Sequence, residues 1–122
     1  MSAEYRLTNE RTGQVIASRA RLADGFVTRA VGLMGQRGLG EGEALVIRPC
    51  WSIHTFFMRF KLDVLYLDKQ RRVKKIVRQM PAWRFSASRG AHETIEMQGG
   101  ALDGSDIEVG DVFALTEVTA QV

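Results

Sequence analysis

Apolar and polar residues follow one another in short runs along this chain, and turn-forming residues bound the runs. Residues 52–60 and 63–68 carry Ile, Phe, Val, Leu, Tyr and Thr at high density, the residue types that fit a pleated, half-buried surface. They read as two core strands joined by a turn at Phe60-Lys61. Further strands are expected over 4–9, 14–19, 44–48, 73–80, 93–98 and 112–118. Loops lie between them at Glu10-Arg11-Thr12-Gly13, Lys69–Arg72 and Val109-Gly110-Asp111. The first two strands are poor in large apolar residues and read as edge strands.

The period changes once. Phe26, Val27, Ala30, Val31 and Met34 recur at helical spacing, with Asp24 placed to cap the N-terminus and Gly35 to end the helix, so a short helix is expected over 25–34. One helical turn is expected over 101–106. The fold class is mostly β (α+β): a compact, small antiparallel β-barrel or sandwich with one or two short helices. The glycines after Met34 belong to no phosphate-binding motif, since neither GKS/GKT nor GxGxxG follows a strand there.

Length then bounds the architecture. The 122 residues fit one domain spanning 1–122, large enough to bury a core without cross-links. One cysteine excludes an internal disulfide. The first residues carry an acid and no apolar stretch, so they do not form a signal peptide. The expected compartment is the cytoplasm, or the envelope if a leader has been removed. No apolar run is long enough for a membrane span. The formal charge of +3 is mild for a nucleic-acid binder. Basic residues gather over 69–78, where Arg71, Arg72, Lys74, Lys75 and Arg78 read as a solvated hairpin whose lysines deter edge pairing. A weak nucleic-acid interface is the alternative reading of this run, and it lacks the interleaved aromatic residues that single-strand platforms use.

Candidate chemistry centres on Cys50 and His54. Four residues apart on one strand, they share a face but stand about 13 Å apart at about 3.3 Å per residue. That spacing prevents a thiolate–imidazole contact, and joint metal ligation too unless Pro49-Cys50-Trp51 folds back. A zinc site would need two or three further ligands, for which His92, Glu93 and Glu96 are the only reserve and no CxxC is present, so no metal and no cofactor are expected. A hydrolase built from Cys50 and His54 with Asp63 or Glu96 is the enzymatic alternative. Hairpin counting sets Asp63 away from His54 and favours Asp63 as a carboxylate that ties backbone amides. Cys50 reads as a small packing residue. By alternation Glu96 shares a face with Thr94 and Gln98, which reads as solvent-facing; turned inward it would need Arg29 or Arg59. Trp51, Phe56, Phe57, Trp83 and Phe85 could line an apolar pocket. Trp83 and Phe85 follow Pro81 in an expected loop and suit a lid or contact surface better than Phe56. The leading expectation is a non-catalytic domain that binds a small molecule or a protein, with His54, Arg29, Trp51, Asp63, Trp83 and Glu96 as candidate ligand-binding residues.

Four segments in order resemble a bacterial and archaeal family, domain of unknown function 192. Thr28-Arg29-Ala30-Val31-Gly32-Leu33-Met34 resembles its arginine and GLM triplet, and residues 52–68 its central segment. Thr94-Ile95-Glu96-Met97-Gln98-Gly99-Gly100 and Val109-Gly110-Asp111 resemble its later motifs. The resemblance covers about residues 22–115. It implies a compact, mostly β domain with a short helix, and recurring polar positions at Arg29, His54, Asp63, Glu96 and Asp111, with no assigned reaction. Many members carry envelope-directing leaders. Here Gly35-Gln36 separate the GLM triplet from Arg37, and Phe57 stands where many members have tryptophan.

Overall fold

The computed structural model describes residues 3–23, 39–56 and 58–118. Nine strands lie among them: β1 (Tyr5–Asn9), β2 (Val15–Ala23), β3 (Glu43–Ile47), β4 (Ser52–His54), β5 (Leu62–Leu67), β6 (Val73–Met80), β7 (Phe85–Ala87), β8 (Glu93–Gln98) and β9 (Phe113–Glu117). Seven form one sheet in the order β6-β5-β8-β3-β2-β1-β9, and β4 pairs with β7 in a small second sheet. All pairings are antiparallel except β2 with β3.

Side-chain alternation explains why both faces of the large sheet are covered. All six residues of β5 are buried. Leu65 and Leu67 point into a core with Leu7, Val46, Ile95 and Phe113. Val64 and Tyr66 point the other way, into a core with Leu45, Ile47 and Ile53 beneath the small sheet. A strand apolar on both faces belongs between two layers.

The large sheet curls into a half-barrel, and its outer strands meet at one end. Arg72 forms a bridge with Val112. Around it Val73 N–H donates to the Asp111 carbonyl at 2.8 Å, and Phe113 N–H to the Arg71 carbonyl at 3.0 Å. Gly110, at a φ of 100°, makes the turn that brings this seam together.

Two charged groups hold the seam. Asp111 is buried and takes Arg11 Nε at 2.7 Å, Asn9 Nδ2 at 2.9 Å and the Glu108 N–H at 2.9 Å. Hydrogen bonding from Arg11 holds the Asp111 carboxyl well below the usual carboxylate range, with burial opposing and the Glu108 and Asn9 donors assisting. A carboxylate depressed in the folded state stabilises above its ordinary pKa of about 3.9 and loses that contribution as pH falls below it. The stability difference between the native chain and Asp111→Asn is therefore expected to be largest at neutral pH and to shrink as pH drops from about 4. Urea titrations across pH check this; a difference independent of pH would contradict it.

Arg71 is the second group. It sits at a φ of 65°, donates through Nε to the Phe113 carbonyl at 2.9 Å, and pairs through Nη1 with Glu93 Oε1 at 2.9 Å. Burial lowers the guanidinium pKa and the Glu93 charge opposes that shift.

Several expectations need correction. Residues 52–60 are not one long strand and do not form a hairpin with 63–68. β4 ends at His54 and pairs with β7, a strand in a stretch read as loop. The chain leaves the strand because Thr55 turns it: Met58 N–H donates to the Thr55 carbonyl. β1 and β2 are interior strands, because the buried residues of β2 are Ala17, Ala20 and Ala23, which pack fully while carrying little apolar mass. The β2–β3 pair makes the sheet mixed rather than purely antiparallel. Residues 101–106 form successive turns, with Ala101 N–H to Gln98 O, Asp103 N–H to Gly100 O and Ser105 N–H to Leu102 O, and no helix occurs among the described residues. The helix expected over 25–34 lies outside the described residues.

Candidate functional site: an exposed aromatic ledge

The small sheet turns one face to the core and the other to solvent. In its register Ile53 lies opposite Ser86, and both are buried; His54 lies opposite Phe85, and both are exposed. Beyond the strand ends the exposed face continues with Phe56 and Trp83. The His54 and Phe56 rings stack at 4.8 Å with 29° between planes, and Phe56 and Trp83 at 5.8 Å with 25°. Such offset, near-parallel stacking is a favourable aromatic geometry. Trp51, Trp83 and Phe85 are 57%, 55% and 67% exposed. Tyr66 and Phe113, in contrast, are fully buried.

One buried residue sets this arrangement. Thr55 Oγ1 donates to the Pro81 carbonyl at 2.7 Å and accepts the Arg84 N–H at 2.9 Å, while the Thr55 carbonyl accepts the Trp83 N–H at 3.0 Å. Three bonds from one position fix the loop that carries Trp83, which holds a φ of 64°. Positive φ in a bulky residue is uncommon and needs such surroundings to hold it. His54 Nδ1 accepts the Phe56 N–H at 3.3 Å, so a neutral imidazole carries its proton on Nε2.

The other candidate residues are placed elsewhere. The buried Cys50 thiol donates to the Ser52 carbonyl at 3.1 Å, and the Cys50 carbonyl accepts Thr94 Oγ1 at 3.0 Å. The bend at residues 48–51 puts Cys50 under the small sheet and His54 on its exposed side, so the two do not share a face. Asp63 is fully buried. Its Oδ1 accepts the Gln79 N–H and its Oδ2 the Leu102 N–H, each at 2.8 Å, the backbone-tying role expected for it. Glu96 is buried on β8 between Val64 of β5 and Leu45 of β3, not solvent-facing. Next to it, burial raises the pKa of the Tyr66 hydroxyl, with Ser86 opposing and the Cys50 and Glu96 charges adding to the rise. Arg29 lies outside the described residues. Cys50, His54 and Asp63 are thus not assembled into a nucleophile, a base and an orienting acid. No cluster of three His, Cys, Asp or Glu side chains suited to a metal occurs among the described residues.

An open groove of about 440 Å³ lies away from the ledge and shares no residue with it; Ile16, Ser18, Glu41, Gln98 and Asp103 are among its walls. None of the described residues that line it is aromatic. The sequence reading preferred Trp83 and Phe85 to Phe56 as contact residues and attached no role to Thr55. The pattern Pro81-Ala82-Trp83-Arg84-Phe85, with rings on either side of a cation, was the available signal for the ledge.

Comparison with known proteins adds a family. The model for domain of unknown function 192, described as an uncharacterised ACR, matches residues 7–115. A UPF0127 protein of Thermococcus sibiricus is 36% identical over 110 residues, covering 86% of this chain and 71% of the relative. Its counterpart in Thermococcus kodakarensis is 31% identical over 115 residues, covering 90% and 73%. Among solved structures, a protein of unknown function from Novosphingobium aromaticivorans superposes with a TM-score of 0.75 at 23% identity, over 91% of this chain and 83% of that one. A Sinorhizobium meliloti protein provisionally described as a transcription regulator superposes with a TM-score of 0.79 at 16% identity, over 94% of each chain. At these identities the two structures share the fold.

Proposed function

The chain belongs to the uncharacterised family of domain of unknown function 192, and we propose that it is a non-catalytic binding domain whose contact surface is the aromatic ledge. The observation that supports this most is the ring row His54–Phe56–Trp83, held in place by buried Thr55 while Phe85 stands exposed opposite His54. Large apolar rings gathered on one solvent-facing surface mark an interaction site more often than a structural need. A flat, unsaturated or amphipathic group is the chemistry such a row accepts, by extending the stack.

The test uses 8-anilinonaphthalene-1-sulfonate as the probe, at a temperature where the chain is fully folded. Alanine at Trp83 or Phe56 is expected to weaken probe binding about 10-fold, equal to about 1.4 kcal/mol, while folding stability stays within about 0.5 kcal/mol. Asp103→Ala, in the separate groove, is expected to change neither. Unchanged probe binding in both ring variants would refute the ledge as a contact surface.

A further inference from the structure

The ledge lies within the most basic part of the chain. Residues 48–92 hold eleven of the seventeen basic residues and two of the fourteen acidic ones, a net charge of +9 against −6 for the rest. Between Lys69 and His92 no acidic residue occurs. The two acids of the span face inward or are engaged by backbone: Asp63 takes two amides, and Asp68 Oδ1 takes the N–H groups of Gln70 and Arg72. Arg71 is committed to Glu93. Among the described residues no carboxylate pairs with Arg59, Lys74, Lys75, Arg84 or Arg89, and all five are exposed.

The fold brings these cations to the rings. Lys75 Nζ donates to the Ala87 carbonyl at 2.9 Å, which sets the edge strand β6 against β7, whose Phe85 belongs to the ledge. Lys74 Nζ lies beside Gly90, where a Cβ would meet it at 3.7 Å. Arg84 sits between Trp83 and Phe85 in the chain. The basic run over 69–78 contains no aromatic residue, and the fold supplies rings from 54–56 and 83–85.

Resting on the ledge reading above, we propose that this surface binds single-stranded nucleic acid. Unpaired bases extend the stack formed by Trp83, Phe56 and His54, and phosphates follow Arg84, Arg89, Lys75 and Lys74 along β7 and β6. Cations beside stacking rings are the two elements that sequence-tolerant single-strand sites combine. A duplex keeps its bases stacked on one another and offers the rings no open face. An anionic membrane would draw on the same charges, so vesicles are the competing surface to measure.

The experiment follows labelled oligouridine and oligothymidine of about 15 nucleotides by fluorescence anisotropy, with a duplex of equal length and phosphatidylserine vesicles in parallel. Single strands are expected to bind, the duplex at least 10-fold more weakly, and affinity to fall by about 0.7 log unit per phosphate contact for each tenfold rise in salt. Trp83→Ala should weaken binding about 10-fold and keep the salt slope; Lys74→Ala with Lys75→Ala should reduce the slope by about 1.4. Absence of single-strand binding at low salt, equal affinity for the duplex, insensitivity to Trp83→Ala, or binding to vesicles alone would each overturn the proposal. If oligonucleotides fail while the ring variants still lose the naphthalene probe, the nucleic-acid assignment falls and the ledge stands. If the ring variants keep the probe, the ledge falls.

Discussion

Replacing Asp63 with alanine is expected to lower folding stability by about 3–4 kcal/mol, read as a drop in the urea midpoint with an unchanged slope. The carboxylate is fully buried, and each oxygen accepts one backbone N–H at 2.8 Å, from Gln79 near the end of β6 and from Leu102 in the turn after β8. Removing it leaves two sequestered amides without acceptors, at about 1–3 kcal/mol each, and opens a small void besides. Gln79 carries a φ of 53°, so the bond also holds a backbone conformation that a free chain avoids. Asp63→Asn keeps one acceptor oxygen and should lose about half as much. A loss below about 1 kcal/mol for the alanine variant would show that water or a rearranged turn satisfies both amides.

The second large effect is expected at the seam. Glu93→Ala should destabilise the fold by about 3 kcal/mol, measured in the same way, because it strands a guanidinium between strands. Glu93 is 2% exposed and Arg71 23%, so the charge left behind is poorly hydrated but reaches some solvent, which favours the lower end of the usual range. The pair itself need not stabilise much. Replacing both residues, with Glu93→Leu and Arg71→Met, is therefore expected to recover at least half of the loss. A double variant as unstable as the single one would contradict the stranded guanidinium as the source of the loss.

The strands that were legible in the sequence are those whose pattern is set locally. Residues 73–80 and 93–98 coincide with β6 and β8, since β-branched residues and bounding turns fix both ends. For Asp63 the role was legible and the partners were not: a carboxylate among Leu62, Val64 and Leu65 needs backbone donors, and those it meets, Gln79 and Leu102, lie 16 and 39 positions later. β4 was not legible, because its partner is chosen by Thr55, whose hydroxyl bonds to residues 26 and 29 positions later. Nothing near Thr55 announces that. The β2–β3 parallel pair was hidden by alanines, which bury completely yet read as neutral. The aromatic density around His54 suggested a core, and half of that reading fails: Ile53 faces inward while His54 and Phe56 face outward. Alternation told the two faces apart but not which one met the protein.

The pairing of β1 with both β2 and β9 has a consequence for how the chain comes off the ribosome. Asn9 reaches Asp111 across 102 positions, whereas β2 follows β1 after one short loop. The β1–β2 and β5–β6 hairpins can close within about 10 μs of being made. The outer side of β1 then waits for β9, roughly 100 residues later, or about 5–20 s at ordinary rates of synthesis. During that interval an unpaired strand edge is open to other nascent chains, and the half-barrel closes only once its final strand has emerged.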